Sequence, residues 1–272
     1  MNSPVAILEF LLEKNYILRD GIYINPNQPI DNKGFQDAYL KARDKEGRLY
    51  ETNVLQYLPY IVENHPLANE WRTRKRTAEK FASYLASKRT PLKVLEIGCG
   101  NGWLTHYLAK KVPDSQFAGI DVNLPELKMA AEAFKDVEII NWIYNEITHD
   151  QVLPDQYFDI IFFAAAIQYF PELGKLFAKV AKYLAPGGEI HILDSPFYSE
   201  KQAQKATKRS LDYYANSAPE MANYYFHHTL KNLNQSGFKV KKMNATALFS
   251  FLKKLDKKGL WDYFGWYCLN KS

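Results

Sequence analysis

A chain of 272 residues, 47% hydrophobic and 24% charged, is long enough for one α/β domain with an appendage, and its composition excludes a disordered or fibrous protein. The formal net charge of +5 is mild, and the pairs Lys241-Lys242, Lys253-Lys254 and Lys257-Lys258 read as solvated faces, so a nucleic-acid partner is not favoured. Two cysteines, Cys99 and Cys268, supply neither a disulfide framework nor a zinc ligand set, and no metal is expected. Residues 1–10 lack the basic start and apolar run of a signal peptide, and no apolar stretch has bilayer length. A cytoplasmic chain without membrane contact is expected.

In chain order, residues 5–18 (VAILEFLLEKNYIL) predict a short helix or packing arm, and residues 21–26 a strand running into a turn. Residues 35–50 are polar, with Tyr39, Leu40, Leu49 and Tyr50 as apolar points; Arg43, Glu46 and Arg48 read as surface ion pairs. Residues 1–65 are set apart as an N-terminal extension. A helix follows Pro66, with Trp71, Ala78, Phe81, Ala82 and Leu85 at helical spacing and Arg72, Arg74, Lys75 and Arg76 along its early turns. Pro91 ends it.

Val94-Leu95-Glu96-Ile97 then has the pattern of a buried parallel strand, and Gly98-Cys99-Gly100-Asn101-Gly102 breaks it before a helix from Trp103. Strand, glycine turn and helix form a ligand cradle, because glycine bares the backbone and a helix start offers unpaired N–H groups. The dinucleotide spacing G-x-G-x-x-G fails here, since its third position is Trp103. Residues 116–121 are a second strand ending in Asp121, about 20 residues past the loop, where an acid meets ribose hydroxyls. Asp121 would otherwise cap the next helix, a task Asn123 does equally well. Residues 137–143 predict a third strand ending in Tyr144-Asn145-Glu146, and residues 157–163 a fourth, followed by the small residues 164–166. Residues 173–184 are an amphipathic helix, Pro186-Gly187-Gly188 a turn, and residues 189–193 a fifth strand. Strands alternating with helices predict a doubly wound, mostly parallel sheet.

Glu96, Gly98, Gly100 and Gly102 in E-x-G-x-G-x-G spacing, with Asp121 and the YLAPGG turn before the fifth strand, resemble the class I S-adenosylmethionine-dependent methyltransferases. The resemblance implies a seven-stranded Rossmann-like domain over residues 66–272, with a leading helix at 66–90 and a helical substrate cap at 195–236 after the fifth strand. It implies S-adenosylmethionine as cofactor, cradled by Glu96, Gly98, Cys99, Gly100, Asn101 and Gly102. Asp121 and Val122 would meet the ribose side, Asn145 or Glu146 the adenine amine, and Ala164 the sulfonium end. Arg72 or Arg76 would pair with the methionyl carboxylate.

Asp194-Ser195-Pro196-Phe197-Tyr198 is similar to the tetrapeptide of amino-methylating nucleic-acid enzymes, but follows the fifth strand rather than the fourth and is set aside. Residues 201–234 read as mostly helical, residues 237–243 and 260–270 as closing strands, and residues 249–255 as a helix between them. In-line methyl transfer needs geometry and desolvation, and a base only for a protonated acceptor. His227 or His228 could supply that base, with Tyr198 and Tyr225 as pocket wall, although a histidine pair on a helix is more often structural or solvated. The leading expectation is an enzyme methylating an O or N atom of a small molecule or glycan precursor. An RNA or protein methyltransferase, and a non-catalytic S-adenosylmethionine-binding or scaffold protein, are the alternatives. The sequence is silent on oligomeric state.

Overall fold

The structure is a computed structural model that describes residues 7–243 and 265–271. The chain opens with helix α1 (Ile7–Glu13) and the strands β1 (Ile17–Arg19) and β2 (Ile22–Ile24). Helices α2 (Lys33–Lys45), α3 (Thr52–Leu55) and α4 (Ala68–Ser87) follow. Then come β3 (Lys93–Ile97), α5 (Trp103–Lys111), β4 (Gln116–Asp121), α6 (Leu124–Ala133) and β5 (Ile140–Tyr144). The second half holds β6 (Phe158–Ala164), α7 (Leu173–Tyr183), β7 (Leu184–Ser195), α8 (Glu200–Tyr214), α9 (Leu230–Asn234), β8 (Phe238–Lys242) and β9 (Gly265–Lys271). The helix expected at 249–255 lies outside the described residues. No described helix is long and apolar enough to cross a membrane.

One sheet runs in the order β1-β2-β5-β4-β3-β6-β7-β9-β8, parallel from β2 to β7 and antiparallel at both ends. Seven strands were expected and nine are present among the described residues. The additional pair is β1 and β2, a hairpin turned at Asp20-Gly21 whose second strand lies parallel to β5. The Pro186-Gly187-Gly188 turn is absorbed into β7 as a break in its register with β6.

Both faces of the parallel core are covered, which is why its strands read as continuous apolar runs. Val94, Phe117, Trp142 and Phe162 meet α4, α5 and α6 on one face. Leu95, Ile120, Ile143 and Phe163 meet α1 and α7 on the other. A third, smaller cluster joins Ala38 and Ala42 of α2 to Tyr214 of α8 and to Ala218 and Met221, with Phe35, Tyr39, Tyr169 and Tyr225 packed against it. The segment expected as a cap after the fifth strand therefore packs on α2, a helix from the N-terminal segment.

Candidate functional site

The turn after β3 bends through three left-handed glycines, Gly98 (φ +73°), Gly100 (φ +52°) and Gly102 (φ +72°). Gly98 and Cys99 donate their N–H groups to the Ile120 carbonyl at 2.9 and 3.3 Å, which ties the turn to the neighbouring strand. A Cβ on Gly98 would stand 2.7 Å from the Ala166 Cβ, and one on Gly100 2.5 Å from Glu126 Oε2. Bare backbone is thus required for the turn to sit between β4 and β6. The turn borders a cavity of about 430 Å³ whose lining also includes Glu96, Asp121, Val122, Asn145, Glu146 and Ala164. This is the switch in strand order, where parallel α/β sheets bind ligands.

Three of the carboxyl groups lining that cavity stand at the glycine turn. Asp121 accepts from the Gly100 N–H and the Asn123 N–H, both at 2.7 Å, one on each oxygen. Burial pushes it up to about 6 in spite of those bonds. Asn123, not Asp121, caps α6, accepting from the Glu126 N–H at 3.3 Å. Glu126 is buried near the turn; burial pushes it up to about 7, opposed by the nearby Arg43. Glu96 is buried under the turn, accepts from the Thr105 hydroxyl, and is pushed by burial up to about 8.

The Glu96 shift has a measurable sign. Between its ordinary value and about 8 the folded chain holds this proton while the unfolded chain has lost it, so stability falls as pH rises across that window. Glu96→Gln removes the titrating group. The drop in apo Tm between pH 5 and pH 8.5 should be smaller in the variant by about 5 °C, as a change of one to two kcal/mol gives. Parallel Tm–pH curves for the two proteins would show that Glu96 is already ionised in the fold.

Other expected ligand residues are placed differently. Asn145 is fully buried, and its amide donates to the Tyr16 hydroxyl and to Gln28 Oε1 at 2.9 Å. Its carbonyl oxygen, expected at an adenine amine, accepts from the Glu146 N–H at 2.7 Å and faces His149 Nδ1 at 3.2 Å. Asn145 anchors the N-terminal hairpin, and Glu146 is the acidic group left at this end of the cavity. Arg72 donates to Asn69 at 3.0 Å, and neither Arg72 nor Arg76 is in the cavity lining. Glu70, Trp71 and Arg74 of α4 are in it, joined by Arg48. At 100° per residue, Arg74 falls on the Trp71 stripe, while Arg72 and Arg76 project together from another face.

A second cavity, about 830 Å³, lies beyond a wall shared with the first and made of Arg43, Arg48, Glu70, Arg74, Ala165 and Tyr169. Its own lining includes Asp194, Tyr198, Tyr213, Tyr214 and Tyr225. Tyr198 and Tyr225, expected as pocket wall, are in this lining. His227 is not in the lining. Its ring lies 5.5 Å from that of Tyr198 and 5.1 Å from that of Tyr225, and its Nε2 is 3.0 Å from Ser210 Oγ. Burial pushes His227 below the usual histidine range. It braces the two tyrosines from behind.

Away from both cavities, Glu189, His191 and Cys268 place ligand-type atoms within 4.8 Å of one another. Lys88 Nζ at 2.9 Å, the Tyr84 hydroxyl at 2.6 Å and His191 Nε2 at 3.2 Å already occupy the Glu189 carboxylate. The group is a charge-satisfied strut between α4 and the sheet.

Residues 94–188 match the methyltransferase domain family. This chain carries a class I S-adenosylmethionine-dependent methyltransferase domain. It is 25% identical over 122 residues to malonyl-acyl-carrier-protein O-methyltransferase 1 of Ilyobacter polytropus, a match that covers 45% of this chain and 45% of that protein. The chain thus spans about half the length of that curated relative. Among solved structures it resembles the magnesium protoporphyrin IX methyltransferase of Synechocystis PCC 6803 with bound SAH (TM-score 0.55, 13% identity, 88% of this chain and 98% of that one). It also resembles the plantazolicin methyltransferase BpumL in complex with a triazolic desmethylPZN analog and SAH (TM-score 0.53, 19% identity, 88% and 95%). At these identities the two structures establish the fold.

The methyltransferase domain takes more of its site from outside the matched residues than the sequence suggested. Asn32, Phe35, Tyr39 and Arg43 line the first cavity from the segment opening α2, and Tyr50 from the loop after it. Arg43, Glu46 and Arg48, read as surface pairs, do pair at 2.9 to 3.3 Å. They do so on the cavity walls.

Proposed function

We propose that the protein transfers a methyl group from S-adenosylmethionine to an oxygen or nitrogen atom of a small molecule in the second cavity. One observation carries this reading: the glycine-turn cavity meets a separate, tyrosine-lined cavity across a shared wall. The residues present suit the cofactor, because a Cβ would fill the cradle at Gly98 or Gly100 and a carboxylate stands at its rim. Backbone 98–102 would face the amino-acid and ribose parts, Asp121 and Val122 the ribose, Glu146 the adenine edge, and Ala164 the sulfur. Arg74 and Arg48 replace Arg72 and Arg76 as partners for the methionyl carboxylate. The cofactor supplies a methyl group already activated by a sulfonium. What the chain adds is orientation and exclusion of water.

Residues 195–236 serve as the substrate cap, resting on α2. A relative named as a malonyl-acyl-carrier-protein O-methyltransferase favours oxygen as the acceptor atom. The RNA or protein alternative is weaker, since tyrosines from the cap close in on the acceptor space. Titration calorimetry with S-adenosylmethionine and S-adenosylhomocysteine separates an enzyme from a scaffold: both ligands should bind, NAD should not. On an identified acceptor, Tyr198→Phe and Tyr225→Phe should lower transfer with cofactor affinity held within about twofold. His227→Asn, acting from behind them, should lower it less. Full turnover by all three variants would move the acceptor site elsewhere.

A further inference from the structure

Resting on that reading, we propose that Ala165 frames the aperture through which the methyl group passes from the cofactor cavity to the acceptor cavity. Its size then sets which alkyl groups the protein can transfer. The two cavities share six lining residues, Arg43, Arg48, Glu70, Arg74, Ala165 and Tyr169. Four of them close the wall with long side chains held by ion pairs. Arg48 places Nη1 and Nη2 each 2.6 Å from the Glu70 oxygens and Nε 2.9 Å from Glu46. Arg74 Nε reaches the same Glu70 at 2.9 Å, and Arg43 lies 3.3 Å from Glu46. Tyr169 is the fifth. Its ring is wedged among those of Phe35, Tyr39 and Tyr225, with centroids 5.6, 5.7 and 5.8 Å away, so it has no room to swing clear. Ala165 is left, the one member of the wall whose side chain is a single methyl group.

The backbone at this point is a second, independent observation. Ala165, just after β6, is left-handed with φ +50°, and Asp194 on the neighbouring β7 is left-handed with φ +51°. Among the described residues seven non-glycine positions have positive φ, and of these only Ala165 and Asp194 line either cavity. Ala165 is also the only one of the seven without a polar side chain, so no local side-chain bond offsets its conformation. Its N–H donates to the Leu193 carbonyl at 3.0 Å, and its carbonyl accepts from Gln168 Nε2 at 2.5 Å. Strain held in place by its surroundings in this way marks a position whose shape is used. In-line displacement puts sulfur, methyl carbon and acceptor atom on one line, with reacting atoms about 3–3.5 Å apart. The wall must therefore supply an opening of methyl width with no longer side chain across it. Glycine would relieve the strain and widen that opening; alanine fixes its width.

The test compares the full-length protein with Ala165→Gly and Ala165→Leu. The Tm of Ala165→Gly should stay close to that of the parent, because relief of strain offsets the added freedom of its unfolded chain. Each protein receives a small-molecule extract of the producing cells and an equimolar mixture of two donors. One is S-adenosylmethionine with a tritiated methyl group, the other S-adenosylethionine with a radiocarbon-labelled ethyl group. Ala165→Gly should raise the ratio of ethyl to methyl transfer about tenfold, the lower end of what one methylene is worth in a shaped site. A general loosening of the turn would slow both donors alike and leave that ratio where it was. Ala165→Leu should lower kcat for methyl transfer about a hundredfold, the cost of misplacing reacting atoms by about 1 Å. Its calorimetric dissociation constant for S-adenosylhomocysteine should stay within about threefold. An unaltered donor ratio in Ala165→Gly, or a full methyl-transfer rate in Ala165→Leu, would show that the methyl group crosses the wall elsewhere. The methyltransferase reading survives that failure, since the parent still moves label. If the parent binds S-adenosylhomocysteine but transfers neither label to any component of the extract, the small-molecule reading falls and the aperture with it.

Discussion

Asp121→Ala should weaken cofactor binding at least tenfold and lower the melting temperature of the apo protein as well. The carboxylate already works for the fold, since its oxygens hold the Gly100 and Asn123 N–H groups at 2.7 Å. Each oxygen keeps a second lone pair, which is what two ribose hydroxyls require. A hydrogen bond to a charged group contributes about 1.5–3 kcal/mol, so losing even one costs tenfold in affinity or more. The orphaned Gly100 N–H adds a stability loss of about 1–3 kcal/mol. Asp121→Asn separates the roles, because its amide oxygen still accepts one N–H while its NH₂ group cannot accept the other. Affinity should also fall as pH drops through about 6, where the buried carboxyl takes up its proton. A lower Tm with an unaltered dissociation constant for S-adenosylhomocysteine would show that Asp121 serves the loop alone.

What the sequence made legible is the part governed by local chemistry. The second strand of the Rossmann-like core was placed at 116–121 and spans Gln116–Asp121, because a strand buried on both faces cannot disguise its apolar run. The glycine turn was equally plain. What stayed hidden depends on partners distant along the chain. Ile22–Ile24 read as a strand, but nothing local says that it pairs with β5, more than a hundred residues on. Asp20-Gly21 is a hairpin signal that the short flanking runs made easy to pass over. In α2, Phe35, Ala38, Tyr39 and Ala42 follow a helical stripe, yet the charged residues between them dominate the composition. The stripe's partners, Tyr214 and Met221, come only after the sheet's last parallel strand. Arg74 was a nearer miss: it shares the stripe of Trp71 and Ala78, and a charge on a buried stripe marks a cavity more often than a surface.

Gly102→Ala should cost the fold about 2–5 kcal/mol, from backbone strain and overpacking together. Gly102 sits at the N-terminal cap of α5 with φ +72°, a conformation that costs an L-residue about 1–2 kcal/mol. An added Cβ would also lie 2.4 Å from Trp142 Cη2 and 3.0 Å from the Ala130 Cβ. Trp142 is buried in the face that α5 and α6 cover, so it has no room to withdraw, and overpacking adds about 1–3 kcal/mol. A drop in Tm of about 10 °C corresponds to the middle of that range. Gly187 provides the control within the same protein: its φ is +79°, but nothing lies within 4 Å of its would-be Cβ. Gly187→Ala should therefore show the backbone cost alone. Trp142→Leu in the Gly102→Ala background should recover part of the packing cost, and a double-mutant cycle measures that coupling. If Gly102→Ala and Gly187→Ala destabilise equally, the turn is shaped by backbone conformation and owes nothing to its seat against Trp142.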